Sequence, residues 1–227
     1  MSSRPLLLFD LDGTLADTAP DLCATMNAVL AKHGRPHVPQ ERVRHMVGGG
    51  ARMIMARGFE ETGTPADEAL LDQLFHDFIA HYDQHIADES EIWPGLLPHL
   101  ERLHGAGAGL AVCTNKVEHL SHKLLNELGL APFFPVVIGG DTLPVKKPDP
   151  EHLLEAIRRL GGTPDHAVMV GDSAPDIDAA KAAGIPSICV SFGYTRVPVQ
   201  ELGADFIIHH FDEFPAALAR ALPHHFG

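Results

Sequence analysis

The chain of 227 residues is poor in cysteine and in aromatic side chains, with three cysteines, one tryptophan and an aromatic share of 6%. The cysteines lie far apart at positions 23, 113 and 189, so buried thiols are expected rather than disulfides or a metal site. No apolar run approaches the roughly 20 residues of a membrane-spanning helix. The first predicted strand begins directly after the residues Met1-Ser-Ser-Arg-Pro. We therefore expect no signal peptide and a cytoplasmic protein.

Positive charge is also scarce, because 17 lysines and arginines face 30 acidic residues and give a net charge of −13. This balance disfavours nucleic acids and anionic membranes as partners. It does not exclude a small anionic substrate, since screening limits the reach of distant surface charge to about 10 Å. The sixteen histidines show no ligand-like clustering, so a solvated surface is expected for most of them. The expected partner is a small molecule, and the expected state is a monomer or a homodimer.

Two acidic residues follow a short apolar run near the N-terminus. Residues 6–9 are Leu-Leu-Leu-Phe, and Asp10 and Asp12 come next, followed by Gly13-Thr14. This pattern predicts a buried strand that carries carboxylates to the carboxyl edge of a parallel sheet, where open α/β sheets bind ligands. Two neighbouring carboxylates repel and need a cation or a shared proton. Alone, the motif is also compatible with a solvated turn.

Three later segments repeat the arrangement of an apolar strand followed by a polar tip. The strand at 110–113 ends in Thr114-Asn115-Lys116, the strand at 136–138 leads to Lys147, and the strand at 167–170 ends in Gly171-Asp172-Ser173, with Asp176 close behind. If these strands are parallel neighbours, their tips converge on one crevice. Carboxylate ligands without histidine or cysteine suit Mg²⁺, and a lysine, a hydroxyl and backbone N–H groups beside it suit a phosphoryl group.

These motifs, in this order, resemble the haloacid dehalogenase-type phosphatases over nearly the whole chain. Within that family, the segments Val136-Val-Ile-Gly-Gly-Asp141, Lys146-Lys-Pro-Asp-Pro150 and Val170-Gly-Asp-Ser173 are most similar to phosphoglycolate phosphatases. The resemblance implies a magnesium-dependent phosphomonoesterase that works through an aspartyl-phosphate, with 2-phosphoglycolate as the expected substrate.

The resemblance assigns roles to residues at the strand tips. Asp10 would be the nucleophile, and Asp12 would protonate the leaving group and later activate water. Mg²⁺ would be held by the carboxylates of Asp10 and Asp172 and by the backbone carbonyl of Asp12. Asp176 is expected to support the site by positioning Lys147 or a metal-bound water.

The resemblance also implies a phosphate site made of Asp10, Thr114, Asn115 and Lys147. In it, Lys147 would neutralise both the nucleophile and the transferring group. Thr114 has an alternative role as the cap of the following helix. Lys146 is taken as a surface charge because Lys147 directly precedes Pro148, as in the family.

The order of the predicted elements indicates an α/β fold. Strands near 110–114, 136–139, 167–171, 187–191 and 206–209 alternate with helices near 96–104, 117–128, 151–160 and 175–183, which predicts a doubly wound, Rossmann-like parallel sheet. The segment between the first strand and this series shows helical periodicity without clear strands. We therefore predict a catalytic core of residues 1–16 and 92–227 with an all-helical cap of residues 17–91 that acts as a lid.

Substrate specificity is expected to reside in the cap. The sequence Gly48-Gly49-Gly50-Ala51-Arg52 places glycines before a helical segment and exposes N–H groups at a positive helix end. Gly49, Gly50 and Arg52 are the candidates for binding a substrate carboxylate. A flexible turn with Arg52 on the surface is the alternative.

Three other functions remain as alternatives. Related enzymes act on other small phosphate esters, such as sugar phosphates or nucleotides. A phosphomutase like β-phosphoglucomutase shares the paired acids, although the glycine turn offers few groups to hold a sugar. A non-catalytic regulatory protein is disfavoured because Asp10, Asp12, Thr114, Lys147 and Asp172 are all present.

Overall fold

The structure, a computed structural model, describes residues 4–227. The start of the predicted core segment and the expected absence of a signal peptide concern residues 1–3, which lie outside that range. The strands are β1 (Leu6–Phe9), β2 (Ala16–Asp17), β3 (Glu91–Ile92), β4 (Gly109–Cys113), β5 (Val136–Ile138), β6 (Ala167–Gly171), β7 (Ser187–Val190) and β8 (Phe206–Ile208). The helices are α1 (Ala19–Lys32), α2 (Gln40–Arg44), α3 (Ala51–Glu61), α4 (Glu68–Gln84), α5 (Leu96–Gly105), α6 (Glu118–Glu127), α7 (Glu151–Arg159), α8 (Ala174–Ala183), α9 (Phe214–Ala221) and α10 (Pro223–Phe226).

Six strands form one parallel sheet in the order β5-β4-β1-β6-β7-β8. The central strand β1 pairs with β4 on one side and β6 on the other, so that Phe9 lies opposite both Val112 and Val170. The strand order reverses beside β1, and such a switch point is where doubly wound sheets bind ligands. The predicted fold class is confirmed.

The sheet is buried on both faces, which explains why its strands read as continuous apolar runs. Side chains of β1 alternate with the period of two that a strand imposes. Leu7 and Phe9 pack into the larger cluster with α5, α6 and α9, whereas Leu6 and Leu8 pack against α7 and α8. The three layers therefore hold the carboxyl end of β1 in a fixed position.

The helices α1–α4 lie between β1 and β4 in sequence and cover the carboxyl edge of the sheet. They pack on one another through apolar stripes, including Met26 and Leu30 of α1, Phe59 of α3 and Phe78 of α4. The strands β2 and β3 form an antiparallel ribbon in which Asp17 lies opposite Glu91. This ribbon carries both connections between the sheet and the four helices, which we call the helical insert. The division of the chain into two domains stays a prediction.

Several short elements were not predicted from the sequence. They are α2, the ribbon of β2 and β3, and the C-terminal helices α9 and α10. These elements have two to eight residues, which is too short to show a clear periodicity, and tertiary contacts decide their conformation. Within the range 4–227, no helix combines the length and the apolar character needed to cross a membrane.

Candidate active site

Asp10 lies directly after β1, at the centre of the carboxyl edge. Its backbone N–H continues the sheet by donating to the carbonyl of Val170 at 2.9 Å, and its Oδ1 accepts from the N–H of Leu11 at 2.8 Å. The side chain is buried, with 5% of the residue exposed. Burial is the main cause that raises the pKa of Asp10 to about 7; Lys147 opposes this shift, and repulsion from Asp176 and Asp12 adds to it. The carboxylate therefore depends on nearby positive charge to stay ionised at neutral pH.

Lys147 supplies a buried positive charge between two of the acids. Its Nζ lies 2.9 Å from Asp10 Oδ1 and 2.6 Å from Asp176 Oδ1. Burial alone lowers the pKa of Lys147, but the two carboxylates outweigh it and raise the pKa above its ordinary value. Lys146 lies outside this cluster, is exposed and donates to the carbonyl of Gly49 at 3.2 Å. Of the two adjacent lysines, the structure places Lys147 beside the predicted nucleophile.

Asp10, Asp172 and Asp176 form a buried carboxylate cluster, with one oxygen of each within 4.8 Å of the others. Burial, followed by repulsion from Asp176 and Asp10, raises the pKa of Asp172 well above its usual range. Three acids thus share the single ammonium of Lys147, and the excess negative charge favours a bound cation. The donors are hard oxygens, which fit a divalent cation such as Mg²⁺ or Ca²⁺. The cluster could therefore hold a divalent metal ion.

The backbone around Asp172 is shaped to fit its carboxylate. A Cβ on Gly13 would lie 2.5 Å from Asp172 Oδ2, and a Cβ on Gly193 would lie 2.3 Å from Asp172 Cβ. Asp172 Oδ2 also accepts a hydrogen bond from the N–H of Tyr194 at 2.5 Å. Only glycine permits this close approach, so the two loops fix the carboxylate in the cluster.

Asp176 links the acid cluster to the start of α8. Its Oδ1 holds Lys147, while its Oδ2 accepts from the backbone N–H groups of Asp172 and Ser173 and from Ser173 Oγ at 2.7 Å. Ser173 and Asp176 form a capping box, which satisfies free N–H groups at the helix start. Asp176 is therefore placed to orient Lys147, and the Ser173 hydroxyl is engaged in the cap.

Thr114 and Asn115 lie at the tip of β4, next to the end of β1. Thr114 Oγ1 accepts from the N–H of Lys116 at 3.2 Å, whereas α6 begins after Val117 and has no side-chain cap. The side chain of Thr114 therefore does not cap α6. Asn115 Nδ2 donates to the carbonyls of Gly48 and Lys147, both at 3.1 Å. Asn115 thus ties the glycine turn of the helical insert to the carboxyl edge of the sheet.

Asp12 is paired with Lys116, a residue to which the sequence analysis gave no role. Lys116 Nζ lies 2.8 Å from Asp12 Oδ1 and 3.0 Å from Oδ2, and Thr18 Oγ1 donates to the same Oδ1 at 2.7 Å. The ammonium also lies 4.5 Å from the centre of the Tyr82 ring on α4. The sequence signal was the position of Lys116 in the tip Thr114-Asn115-Lys116, but its partner lies more than 100 residues away.

A small cavity of about 30 Å³ lies between the helical insert and the strand tips. A space of this size holds one or two water molecules. Its polar lining comes from the tips of β1 and β4, and its apolar lining comes mainly from α1, α3, α4 and α6. The lining residues are Asp10, Asp12, Leu22, Val47, Gly48, Gly50, Ala51, Ile54, Phe78, Ile79, Tyr82, Thr114, Asn115, Lys116, Val117 and Leu120.

The three cap candidates lie in different places. Gly50 lines the cavity with a φ of 86°, and a Cβ on it would lie 2.9 Å from the carbonyl oxygen of Asn115. Gly49 faces outward, with its carbonyl bound by Lys146. Arg52 lies outside the cavity, where it forms ion pairs with Glu68 and Asp72 on α4. The structure thus brings Gly50 to the site but not Arg52, which corresponds to the surface alternative.

Comparisons with known proteins agree with this geometry. Residues 7–190 match the family model described as haloacid dehalogenase-like hydrolase. A phosphoglycolate phosphatase of Caulobacter vibrioides is 48% identical over 93% of this chain and 89% of its own length. One of Agrobacterium fabrum is 44% identical over 98% of this chain and 97% of its own. The solved structure of a predicted phosphoglycolate phosphatase from Haemophilus somnus superposes with a TM-score of 0.89 at 28% identity, covering 96% of this chain and 99% of that one. The resemblance described from the motifs is confirmed.

Proposed function

The chain belongs to the haloacid dehalogenase-like hydrolases, and we propose that it is a magnesium-dependent phosphatase that hydrolyses 2-phosphoglycolate to glycolate and phosphate. The observation that carries the proposal is the buried cluster in which Asp10 and Asp172 share one site and Lys147 lies 2.9 Å from Asp10. The substrate is taken from relatives at 48% and 44% identity that are phosphoglycolate phosphatases.

Hydrolysis proceeds in two displacements. In the first, an oxygen of Asp10 attacks phosphorus, the bond to the ester oxygen breaks, and the proton of Asp12 passes to the departing oxygen to give glycolate. In the second, Asp12 takes a proton from the attacking water, and the bond between phosphorus and Asp10 breaks to release phosphate. Because a single residue separates Asp10 from Asp12, both side chains can reach the same phosphoryl group.

The residues around Asp10 stabilise the charge on that group. Lys147 is held between Asp10 and Asp176, so its ammonium is in place before the substrate arrives and needs no reorganisation. Thr114 Oγ1 and the N–H of Asn115 would hold phosphoryl oxygens. These contacts suit the equatorial oxygens of a transferring phosphoryl group.

The carboxylates of Asp10 and Asp172, with the backbone carbonyl of Asp12, would hold Mg²⁺. When bound, the ion neutralises negative charge on the phosphoryl group and on the acids. The third carboxylate of the cluster, Asp176, keeps its contacts with Lys147 and the start of α8. This division leaves Asp176 as a support for the cation and the ammonium rather than as a ligand.

Substrate access requires the helical insert to move away from the sheet. The cavity of about 30 Å³ is too small for phosphoglycolate, and Asp12 is held by Lys116 and Thr18. The ribbon of β2 and β3 is the connection about which the insert would turn. Closure over the bound substrate would then exclude bulk water during attack on phosphorus.

The cavity lining disfavours a sugar phosphate. Leu22, Val47, Ile54, Phe78 and Ile79 give the insert an apolar inner face. A rotating hexose would meet few hydrogen-bonding partners there, which disfavours the phosphomutase alternative. This lining supports a compact phosphate ester as the substrate.

A cytoplasmic location is part of the proposal. Cys23, Cys113 and Cys189 are buried and free, as expected for a reducing compartment. Burial raises the pKa of Cys113 to about 12, so this thiol next to the active-site edge stays protonated and unreactive.

The test is a screen of the purified protein against 2-phosphoglycolate, β-glucose 1-phosphate and a nucleoside monophosphate, each with Mg²⁺ and with a chelator. We expect phosphoglycolate to have the highest kcat/KM, and we expect chelation to remove activity. The variant Asp10→Asn should lose at least about 1,000-fold in kcat. The surface variant Asp165→Asn is the matched control and should keep wild-type activity. Turnover by Asp10→Asn would contradict the covalent mechanism, and a better substrate would contradict the assignment.

A further inference from the structure

Lys116 places a buried ammonium group at the cavity between the sheet and the helical insert. Its side chain is 5% exposed, and its Nζ contacts both carboxylate oxygens of Asp12 at 2.8 and 3.0 Å. Removing an ammonium from water is costly unless an anion compensates it. Lys116 therefore always needs an anionic partner, and Asp12 fills that role in this closed arrangement.

Lys116 differs from the other cationic residues near the cavity in its position. Of the lining side chains in the part of the chain described, Lys116 carries the one positive charge, whereas Asp10 and Asp12 are acidic. Lys147 lies behind Asp10 and is paired with it and with Asp176. Arg52 of α3 is directed away from the cavity, to Glu68 and Asp72 of α4. An anionic group that enters the cavity beside the phosphoryl site has Lys116 as its available cationic partner.

Tyr82 adds an independent observation on the insert side of the cavity. Its residue is 1% exposed, and its hydroxyl has no hydrogen-bond partner within residues 4–227. A buried hydroxyl without a partner costs stability and calls for an explanation. The ring of Tyr82 lies 4.5 Å from Lys116 Nζ, so the ammonium and the aromatic residue share one wall of the cavity. A ligand with an acceptor group could satisfy both donors.

The short distance between Lys116 Nζ and Asp12 indicates which ligand would fit. In the proposed reaction, Asp12 contacts the ester oxygen of the substrate, and Lys116 lies 2.8 Å from Asp12. In phosphoglycolate, a single methylene separates the ester oxygen from the carboxylate. A substrate with its ester oxygen at Asp12 therefore places its carboxylate within reach of Lys116.

We propose that Lys116 determines substrate specificity by leaving Asp12 and binding the substrate carboxylate, with the Tyr82 hydroxyl as a second donor. This inference rests on the proposed function and names the substrate class as phosphate monoesters with a carboxylate one carbon from the ester oxygen. Recognition of the substrate carboxylate is thus assigned to Lys116 on the sheet side of the site as well as to Tyr82 on the insert. A charge-assisted hydrogen bond in a buried site provides the discrimination.

The experiment compares kcat/KM for 2-phosphoglycolate with kcat/KM for ethyl phosphate, which has the same chain length but no carboxylate. Lys116→Gln removes the charge while keeping a donor for Asp12, and we expect the ratio of the two kcat/KM values to fall about 100-fold. Lys116→Arg keeps the charge and should retain most of the preference. Tyr82→Phe should lower the ratio by about 5- to 10-fold.

Lys123→Gln is the matched control, because Lys123 also forms an ion pair with an acid, Asp83 on α4, but lies away from the cavity. Its ratio should equal that of the wild type. An equal loss for both esters in Lys116→Gln, as expected from a merely structural role, would overturn the inference. A wild-type ratio near 1 would instead overturn the proposed substrate, so the two failures are distinguishable. If Lys116→Gln does not fold, an unchanged ratio in Tyr82→Phe overturns the role of the pair.

Discussion

The hydroxyl of Tyr194 donates a hydrogen bond to Asp17 Oδ1 at 2.5 Å, across 177 residues of sequence. The same hydroxyl accepts from the N–H groups of Thr18 and Ala19, and the N–H of Tyr194 donates to Asp172. One residue thus joins the acid cluster to the ribbon through which the chain enters the insert. The sequence alone does not predict these hydrogen bonds, since nothing local reveals a contact this distant.

This relationship predicts different effects for the two tyrosines of the chain. Tyr194→Phe removes one donor to Asp17, which keeps Arg44, and leaves the buried N–H of Thr18 without its acceptor, which should lower the free energy of unfolding by about 1–3 kcal/mol. Tyr82→Phe is the matched control and should be neutral or slightly stabilising, because the Tyr82 hydroxyl has no partner within the described range. Urea unfolding of the substrate-free proteins measures both. Equal effects would show that the Tyr194 hydroxyl contributes no net stability.

The contribution of Asp12 to the rate should be largest for substrates with a poor leaving group. Asp12→Asn keeps the size of the side chain but removes the acid, so formation of the aspartyl-phosphate from phosphoglycolate should slow by about 100- to 10,000-fold. Release of nitrophenolate from p-nitrophenyl phosphate needs no proton and should slow less than about 10-fold. Single-turnover kinetics isolate this step from the later attack by water. A similar loss with both esters would exclude Asp12 as the acid.

Asp176 should act through Lys147, whose Nζ it holds at 2.6 Å. Asp176→Asn keeps the shape but removes the charge that orients the ammonium, so kcat at saturating Mg²⁺ should fall about 100-fold. Asp178→Asn, on the exposed side of the same helix α8, is the control and should be unaffected. Initial rates with phosphoglycolate give both values. Activity of Asp176→Asn within about 3-fold of the control would rule out this positioning role.

Activity should be sensitive to alanine at Gly50 in the glycine turn, but not at Gly34, which follows α1. Both glycines have positive φ values, 86° and 65°, so alanine costs about 1–2 kcal/mol in stability at either position. Only at Gly50 would the added Cβ press on the carbonyl of Asn115, at 2.9 Å. Gly50→Ala should therefore lower kcat/KM for phosphoglycolate about 10-fold, while Gly34→Ala changes only the unfolding midpoint. Equal activities of the two variants would contradict a functional contact at Asn115.

His152 should make the protein less stable as the pH falls. It is buried under the tip after β5, where its Nε2–H donates to the carbonyl of Gly139 at 3.0 Å. Burial, with a smaller effect of Lys147, lowers the pKa of His152 to about 4 from 6.5. The unfolded chain thus binds the proton first, so stability decreases as the pH falls from 6.5 to 4, by about 3 kcal/mol in total.

The measurement is the free energy of unfolding at several pH values in that window. His152→Gln should flatten the decrease, whereas His76→Gln, at an exposed position on α4, should leave its slope unchanged. An identical slope in wild type and His152→Gln would assign the acid sensitivity to other groups.

The sheet and its acid cluster were predictable because each catalytic strand is an apolar run that ends in its own polar residues. Asp10, Thr114 and Asp172 each follow such a run directly, so local sequence placed them at one edge. The position of Arg52 was not predictable in this way. Whether it faces the cavity depends on the packing of α3 against α4, which places Glu68 and Asp72 next to its guanidinium. The pairing of Lys116 with Asp12 likewise depends on the assembled sheet.

The ribbon of β2 and β3 has a consequence for how such proteins diversify. Because Asp17 and Glu91 are paired neighbours, the polypeptide leaves the sheet and returns to it at almost the same point. A segment whose two ends lie next to each other can be exchanged for another without distorting the strands of the sheet. Grafting a foreign insert at this junction would leave the phosphoryl chemistry in place and alter the pocket above it, so new specificities can arise by shuffling a single module.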